Sequence, residues 1–118
     1  MLIAEDEADV RRFTKAFLEE FGYKVIEAVD GEDAVNKFKV NRGKIKLLIL
    51  DVIMPKKHGK EAYDEIKMLQ PDIKVIFASG YTDDIIYKKG ILEQGLSFVS
   101  KPFIPTELLK IMREALDK

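Results

Sequence analysis

A short aliphatic run that ends in an acid constrains the fold of this chain more than any other feature. Residues 47–50 are all aliphatic, Asp51 follows them directly, and Pro55 prevents the extended segment from continuing. A run this short and apolar is typical of a strand that is buried on both faces, as in a parallel sheet. We therefore expect Asp51 at the carboxyl end of a central strand, which is the edge where open α/β sheets bind ligands.

The rest of the chain alternates between short apolar runs and amphipathic segments. The predicted strands span residues 1–4, 23–28, 45–50, 73–78 and 98–99. The predicted helices span residues 8–21, a short segment around 34–38, a segment that begins at Gly59, residues 84–94, and a last segment that begins at Pro105. Five alternations of strand and helix predict parallel strands, right-handed crossovers and helices on both faces of the sheet.

The helical periodicity also predicts which residues are buried. The expected core positions are Val10, Phe13, Phe17 and Phe21 in the first helix, Ala62, Ile66 and Leu69 in the third, and Leu108, Ile111, Met112, Ala115 and Leu116 in the last. Ile104 stands where a polar residue would cap the last helix, and the missing cap should cost on the order of 1 kcal/mol.

Composition excludes several classes of function. The 118 residues suffice for one domain, residues 1–118, and 20 basic against 21 acidic residues argue against a nucleic-acid surface. The absence of cysteine excludes disulfides, thiolate zinc sites and a cysteine nucleophile, and a single histidine excludes a multi-histidine metal site. No apolar run approaches the roughly 20 residues of a membrane span, and the N-terminus has no signal-peptide pattern, so we expect a cytoplasmic protein.

Polar groups follow four of the predicted strands. They are Glu5 and Asp6 after the first strand, Asp51 after the third, Ser79 after the fourth and Lys101 after the fifth. In a parallel sheet these ends share one edge, so three acids, a hydroxyl and an ammonium should line one cleft. Clustered carboxylates repel one another unless a cation joins them, and oxygen ligands suit Mg²⁺ or Mn²⁺. Aspartate can accept a phosphoryl group, and lysine and serine can bind the phosphoryl oxygens.

Each of these signals has a plain structural explanation when it is taken alone. The acids at residues 5–7 could form a solvated turn, Asp51 could cap a loop, Ser79-Gly80 could be a simple turn, and Lys101 could be a surface lysine. Their joint occurrence at successive strand ends favours a site. For His58, the plain explanation is preferred: we expect an exposed loop residue and no role as a phosphoryl carrier.

Four segments together resemble the receiver domain of two-component response regulators, over essentially the whole chain. They are Glu5-Asp6-Glu7, residues 51–55 with Gly59, residues 77–80, and Lys101-Pro102-Phe103. The resemblance implies a flavodoxin-like (βα)5 fold, a doubly wound parallel five-stranded sheet with strand order 2-1-3-4-5. Residues 79–83 and the ending Lys-Pro-Phe-x-Pro are most similar to receivers of hybrid sensor histidine kinases.

The resemblance implies roles for the acids. Asp51 would accept a phosphoryl group from the phosphohistidine of a histidine kinase or of a histidine phosphotransfer domain. Mg²⁺ would be bound directly by Asp6 and Asp51, through water by Glu5, and by the backbone carbonyl of Ile53. The acidic pair here is Glu-Asp where Asp-Asp is commoner, a variant that lengthens one arm of the site.

The resemblance also implies a switch. Lys101 would contact the phosphoryl group, and the peptide bond between Lys101 and Pro102 would be cis, which proline makes tolerable. Ser79 would move to meet the phosphoryl group and Phe98 would turn inward. The response would then spread over the surface formed by the fourth helix, the fifth strand and the last helix, which could also support a homodimer.

Two further positions bear on the lifetime of the phosphorylated state. Ile53 and Tyr81 each lie two residues after a site residue, at positions that influence the hydrolytic water in this family. Neither side chain is an acid or amide that would orient water well. We therefore expect slow hydrolysis.

Two other functions remain open from the sequence. The first is a phosphorylation-independent pseudo-receiver that binds a protein partner, although the complete set of site residues argues against it. The second is an enzyme on the same fold, but the chain has no Gly-rich nucleotide loop, and Ile53 stands where a phosphatase would carry a second acid. The length leaves no room for an output domain, so we expect a stand-alone receiver or a fragment, and the short first strand favours a fragment.

Overall fold

Five parallel strands form one sheet at the centre of the fold. The computed structural model describes residues 1–80, 90–91, 94–101 and 103–117. The strands are β1 (Leu2–Ala4), β2 (Ile26–Ala28), β3 (Leu47–Asp51), β4 (Lys74–Ser79) and β5 (Ser97–Ser100). Their order across the sheet is β2-β1-β3-β4-β5, and each neighbouring pair is parallel. The predicted strands, their parallel pairing and the strand order 2-1-3-4-5 are confirmed.

Helices connect the strands as the alternation predicts. They are α1 (Ala8–Glu20), α2 (Gly31–Val40), α3 (Gly59–Leu69) and α4 (Pro105–Leu116). The helix predicted at residues 84–94 lies mostly outside the described residues, although Gly90 and Ile91 are helical. None of the helices within the described ranges is both long and apolar enough to cross a membrane.

The edge strand β2 is shorter than its hydrophobic pattern predicts. It begins at Ile26 rather than at residue 23, because its partner β1 begins at Leu2 and the register pairs Leu2 with Ile26. The central strand β3 begins two residues later than expected, at Leu47, and ends one residue later, since Asp51 pairs with Ala78 of β4. Asp51 is therefore part of the hydrogen-bonded sheet.

The two faces of the sheet carry separate cores. Leu48 and Leu50 of β3 pack with Phe38 of α2 and Ile66 of α3 on one face. On the other face Leu47 and Ile49 pack with a second set of residues, Leu18 of α1 and Leu108 and Met112 of α4. The alternation along β3 thus sends successive side chains to opposite cores, as in a doubly wound sheet.

The predicted core stripe of α1 is wrong at two of its phenylalanines. Phe13 is 63% exposed and Phe21 is 57% exposed, whereas Thr14 and Leu18 are buried. The helix turns Thr14 and Leu18, one helical turn apart, toward the sheet, and the Thr14 hydroxyl is satisfied because it donates to the Val10 carbonyl at 2.8 Å. Phe17 is partly buried against the core beside them.

The last helix follows its prediction more closely. It begins at Pro105 as expected, Ile104 occupies the N-cap position without a side-chain capping bond, and Leu108, Met112 and Ala115 are buried. Leu116 departs from the predicted face, since it is 39% exposed in the final turn. The helix ends there, so no following turn covers that side chain.

Candidate functional site

Three carboxylates meet at the carboxyl ends of β1 and β3. Glu5 and Asp6 follow β1 directly and Asp51 ends β3. One carboxylate oxygen from each lies within 4.8 Å of the others. Glu5 and Asp51 are only 4% and 6% exposed, while Asp6 is exposed to solvent. Two acids thus form the floor of the site, and the third stands at its open side.

The Lys101 ammonium lies among these acids. Its Nζ is 2.6 Å from Glu5 Oε1 and 3.1 Å from Asp51 Oδ1, and all three side chains are nearly buried. The backbone N–H of Lys101 donates to the Ser79 carbonyl at 2.8 Å, which ties the end of β5 to the end of β4. Gly80 lies directly beside the lysine, since an added Cβ would make an ordinary van der Waals contact with Lys101 Cβ at 3.4 Å.

Burial and the neighbouring groups shift the pKa values of the three acids in different directions. Burial, and then the charge of Glu5, raises the pKa of Asp51 to about 8, although Lys101 acts in the opposite direction. Burial and the hydrogen bond with Glu5 also raise the pKa of Asp6. Burial alone would raise the pKa of Glu5, but the hydrogen bonds from Lys101 and from the Glu7 N–H lower it overall.

The lysine keeps its proton in this setting. Burial alone would lower the pKa of Lys101, but its contacts with Glu5 and Asp51 raise it overall. The site therefore holds one cation against three acids, and Asp51 retains its proton at a higher pH than an ordinary aspartic acid.

This donor set fits a hard divalent cation. It offers carboxylate oxygens within 4.8 Å of one another, and no histidine or thiolate takes part. Such a set suits Mg²⁺, which binds one or two carboxylates and keeps several waters. The exposed position of Asp6 leaves the solvent side open for those waters. Glu5, Asp6 and Asp51 are therefore the described residues that could hold the ion.

The structure also places three other predicted site residues, Ser79, Ile53 and Phe98. Ser79 is buried at the last position of β4, one residue beyond the Ala78 that pairs with Asp51. Ile53 follows β3 and is 37% exposed. Phe98 lies in β5 and packs partly buried against the core that contains Phe38. Tyr81 and Pro102 fall outside the described residues.

The loop from β3 to α3 is held closely against the site. The Gly59 N–H donates to the Val52 carbonyl at 3.0 Å, and a Cβ on Gly59 would lie 2.3 Å from the Asp51 carbonyl oxygen. His58 Nδ1 accepts the Met54 N–H at 3.2 Å and the residue is partly buried, so the expectation of an exposed histidine is wrong. A histidine inside a Lys-Lys-His loop gives no sequence signal for such a contact.

The sequence also gave no reason to select Arg11. Its side chain, 14% exposed, reaches from α1 to the backbone carbonyl of Glu5 at 2.8 Å. Nothing in the helical pattern separates Arg11 from its neighbour Arg12, because the difference lies in which face of α1 meets the sheet edge.

A cavity of about 550 Å³ opens beside the acids, between the start of α1 and the end of β5. Its described lining is largely apolar at Val10, Phe13 and Phe103, and Lys101 forms part of its wall. The exposed Phe13 thus lies on a surface that leads to the same lysine that contacts Asp51.

Comparisons with known proteins indicate a single family. The family described as response regulator receiver domain matches residues 1–113. The chemotaxis protein CheY of Thermotoga maritima is 32% identical over 100% of this chain and 94% of its own length. The sensor kinase CckA of Brucella abortus is 33% identical over 100% of this chain but only 12% of its own length.

Solved structures agree with these matches. A receiver domain protein from Clostridium thermocellum superposes with a TM-score of 0.90 at 26% identity, covering 98% of this chain and 92% of that one. The receiver domain of the hybrid histidine kinase CckA superposes with a TM-score of 0.81 at 33% identity, covering 98% and 96%. Among curated relatives the chain spans between 12% and 50% of several longer proteins, including transcriptional regulators.

Proposed function

The chain belongs to the response regulator receiver domain family, and on that basis we propose that Asp51 accepts a phosphoryl group from a phosphohistidine. The observation that carries the proposal is the buried ion pair of Lys101 with Asp51 beside two further carboxylates. The donor would be a histidine kinase or a histidine phosphotransfer domain, and the setting would be the cytoplasm. A phosphorylation-independent binding module is the alternative.

The transfer needs an ionised Asp51. One of its oxygens attacks phosphorus while the phosphorus–nitrogen bond of the phosphohistidine breaks, and the departing imidazole takes up a proton. A bound Mg²⁺ would compensate the charge of the carboxylates and of the phosphoryl oxygens. Ionisation of Asp51 is then favoured, since the raised pKa arises from burial and from Glu5.

Lys101 and Ser79 supply the donors for the transferred group. Lys101 Nζ already lies 3.1 Å from Asp51 Oδ1, so it can donate to a phosphoryl oxygen on that atom after a small shift. The Ser79 hydroxyl, at the end of the neighbouring strand, would move to a second phosphoryl oxygen. Both act by position and charge, because phosphoryl transfer requires little other chemistry from a protein.

The direct test uses a small phosphodonor in place of a kinase. Acetyl phosphate is added to the protein with Mg²⁺ and, in parallel, with EDTA, and intact mass reports phosphate incorporation. We expect labelling that depends on Mg²⁺. A folded protein that binds Mg²⁺ but takes up no phosphate would instead support the binding-module alternative.

A protein donor would reach Asp51 over the cavity beside α1. Phe13 is exposed there, and the cavity shares Lys101 with the acids. An exposed aromatic next to a reactive group is suited to holding the domain that carries the phosphohistidine, because the donor nitrogen must come close to Asp51.

Phe13→Ser is therefore expected to slow phosphoryl transfer from a phosphorylated histidine phosphotransfer domain by about tenfold, while labelling by acetyl phosphate stays unchanged. Met68→Ser, which removes another exposed apolar side chain, on α3, is the matched control. Equal transfer rates for Phe13→Ser and wild type would contradict the assignment of this surface to the donor.

The phosphorylated state should be long-lived. Ile53 is partly exposed beside Asp51 and has no polar group to orient a hydrolytic water; Tyr81 is proposed to act at the same step. Ile53→Asn should shorten the phosphoryl lifetime by several fold, as measured by the decay of labelled protein after the donor is removed. Decay within seconds in wild type, without acceleration in the variant, would contradict this proposal.

The conformational response to phosphorylation would be transmitted through Ser79 and Phe98. Movement of Ser79 toward the phosphoryl group would free space for Phe98 to turn inward and change the surface of β5 and α4. A cleft of about 450 Å³ lies on that surface, lined by Phe98, Val99, Ser100, Glu107, Lys110, Ile111 and Glu114. It would bind an effector or a second copy of the chain, and sedimentation of the labelled protein distinguishes the two.

A further inference from the structure

Arg11 bridges three elements next to the acidic site. Its Nη1 donates to the Glu5 carbonyl at 2.8 Å, and its Nε lies 3.6 Å from Glu27 Oε1. Glu27 belongs to β2 and pairs with Ile3 of β1. Arg11 is thus anchored on the edge strand and reaches the peptide group that joins Glu5 to Asp6.

That peptide group sets the direction of Asp6. The Glu5 N–H donates to the Ala28 carbonyl at 3.1 Å, which fixes one side of Glu5. The bond from Arg11 fixes the carbonyl on the other side. Asp6 itself is exposed and lies beyond the last paired residue of β1, so the sheet does not orient it. The Arg11 bond comes from a side chain on α1, so a substitution at residue 11 removes it without changing any residue of the loop.

We infer that Arg11 is a positioning residue, which holds the Glu5–Asp6 peptide so that Asp6 points at the divalent cation bound by the acids. The inference rests on the metal-dependent function proposed above. It assigns no contact between Arg11 and the ion. Side chains that orient metal ligands commonly change metal affinity by tenfold or more when they are removed.

Charge alone predicts the opposite effect. A guanidinium near three carboxylates repels a divalent cation, so its removal by itself would strengthen Mg²⁺ binding. Glu27, which also lies 3.7 Å from Lys15 Nζ, offsets part of the Arg11 charge. The sign of the change in Mg²⁺ affinity therefore separates positioning from simple electrostatics.

Calorimetric titration with Mg²⁺, in the absence of any phosphodonor, tests the inference. Arg11→Gln should weaken Mg²⁺ binding about tenfold, and Arg11→Lys, which can still donate to the Glu5 carbonyl, should recover most of the loss. Lys15→Gln is the matched control, because Lys15 pairs with the same Glu27 and forms no bond to Glu5 among the described contacts. It should bind Mg²⁺ within twofold of wild type.

Several outcomes would overturn the inference. They are equal or tighter binding in Arg11→Gln, equal weakening in Lys15→Gln, and a wild-type protein that binds no Mg²⁺. Should Arg11→Gln not fold, Glu27→Gln removes the anchor and keeps the arginine, and unchanged affinity there would also overturn it. A wild type that binds Mg²⁺ without becoming phosphorylated would contradict the proposed function alone.

Discussion

Asp51→Asn is expected to abolish Mg²⁺-dependent phosphate incorporation from acetyl phosphate. An amide is not a phosphoryl acceptor, and Glu5, the nearest buried acid, is engaged by Lys101 at 2.6 Å. Asp64→Asn is the matched control, because Asp64 is an exposed acid of α3 that pairs only with surface Lys60 in the described contacts. Labelling of Asp51→Asn at the wild-type level would place the acceptor at another residue.

In the metal-free protein, Asp51→Asn should become increasingly more stable than wild type as the pH rises. The pKa of Asp51 is about 8 in the folded state, above its ordinary value of 3.8. The stability that this proton confers is fully present below about pH 4 and is lost as the pH rises through about 8. Asparagine does not titrate, so the advantage of the variant should grow across this interval.

Urea unfolding in EDTA measures that advantage. The free energy of unfolding of Asp51→Asn should exceed that of wild type by a few kcal/mol above pH 8, because each unit of raised pKa is worth about 1.4 kcal/mol and solvent screening reduces the full effect. The difference should be small near pH 4 and constant once Asp51 is ionised in the folded state. A difference that is independent of pH would show that Asp51 carries no raised pKa.

Lys101→Met is expected to slow phosphorylation of Asp51 at saturating Mg²⁺ by on the order of 10²-fold, the usual effect of removing one donor to developing charge. Methionine preserves most of the buried stem and removes the ammonium. Lys60→Met, which removes the partner of Asp64 on the surface of α3, is the control and should leave the rate unchanged.

A measurement of Mg²⁺ affinity shows whether Lys101→Met reacts slowly because it lacks the ammonium or because it binds the metal more weakly. Lys101 competes with a cation for Glu5 and Asp51, which it contacts at 2.6 and 3.1 Å. Lys101→Met should therefore bind Mg²⁺ at least as tightly as wild type while it reacts slowly. A rate within a few fold of wild type would contradict the role of the ammonium in transfer.

The sequence predicts the sheet and the chemical character of the site because both depend on local patterns. The aliphatic run before Asp51 requires burial on both faces, and β3 is buried along its whole length. Parallel strands bring their carboxyl ends to one edge, so the sequence pattern alone predicts that Glu5, Asp6, Asp51 and Lys101 lie together, as they do.

Helix rotation and contacts with the backbone are what the sequence could not predict. Phe13 and Thr14 are neighbours in α1, and hydrophobicity favours burial of the phenylalanine, yet the threonine is buried and its hydroxyl is satisfied by a bond to the preceding turn. Arg11 and His58 acquire their contacts from backbone groups that carry no side-chain signal. Such contacts depend on how each helix and loop is oriented in the packed fold.

Chemical trapping of the acyl phosphate tests the central claim most directly. Protein treated with acetyl phosphate and Mg²⁺ is reduced with borohydride, which converts a phosphorylated aspartate to homoserine, and peptide mass spectrometry then locates the change. We expect homoserine at position 51, and only when Mg²⁺ is present. Conversion at Asp6 or elsewhere, or no conversion in a folded protein that binds Mg²⁺, would contradict Asp51 as the phosphoacceptor.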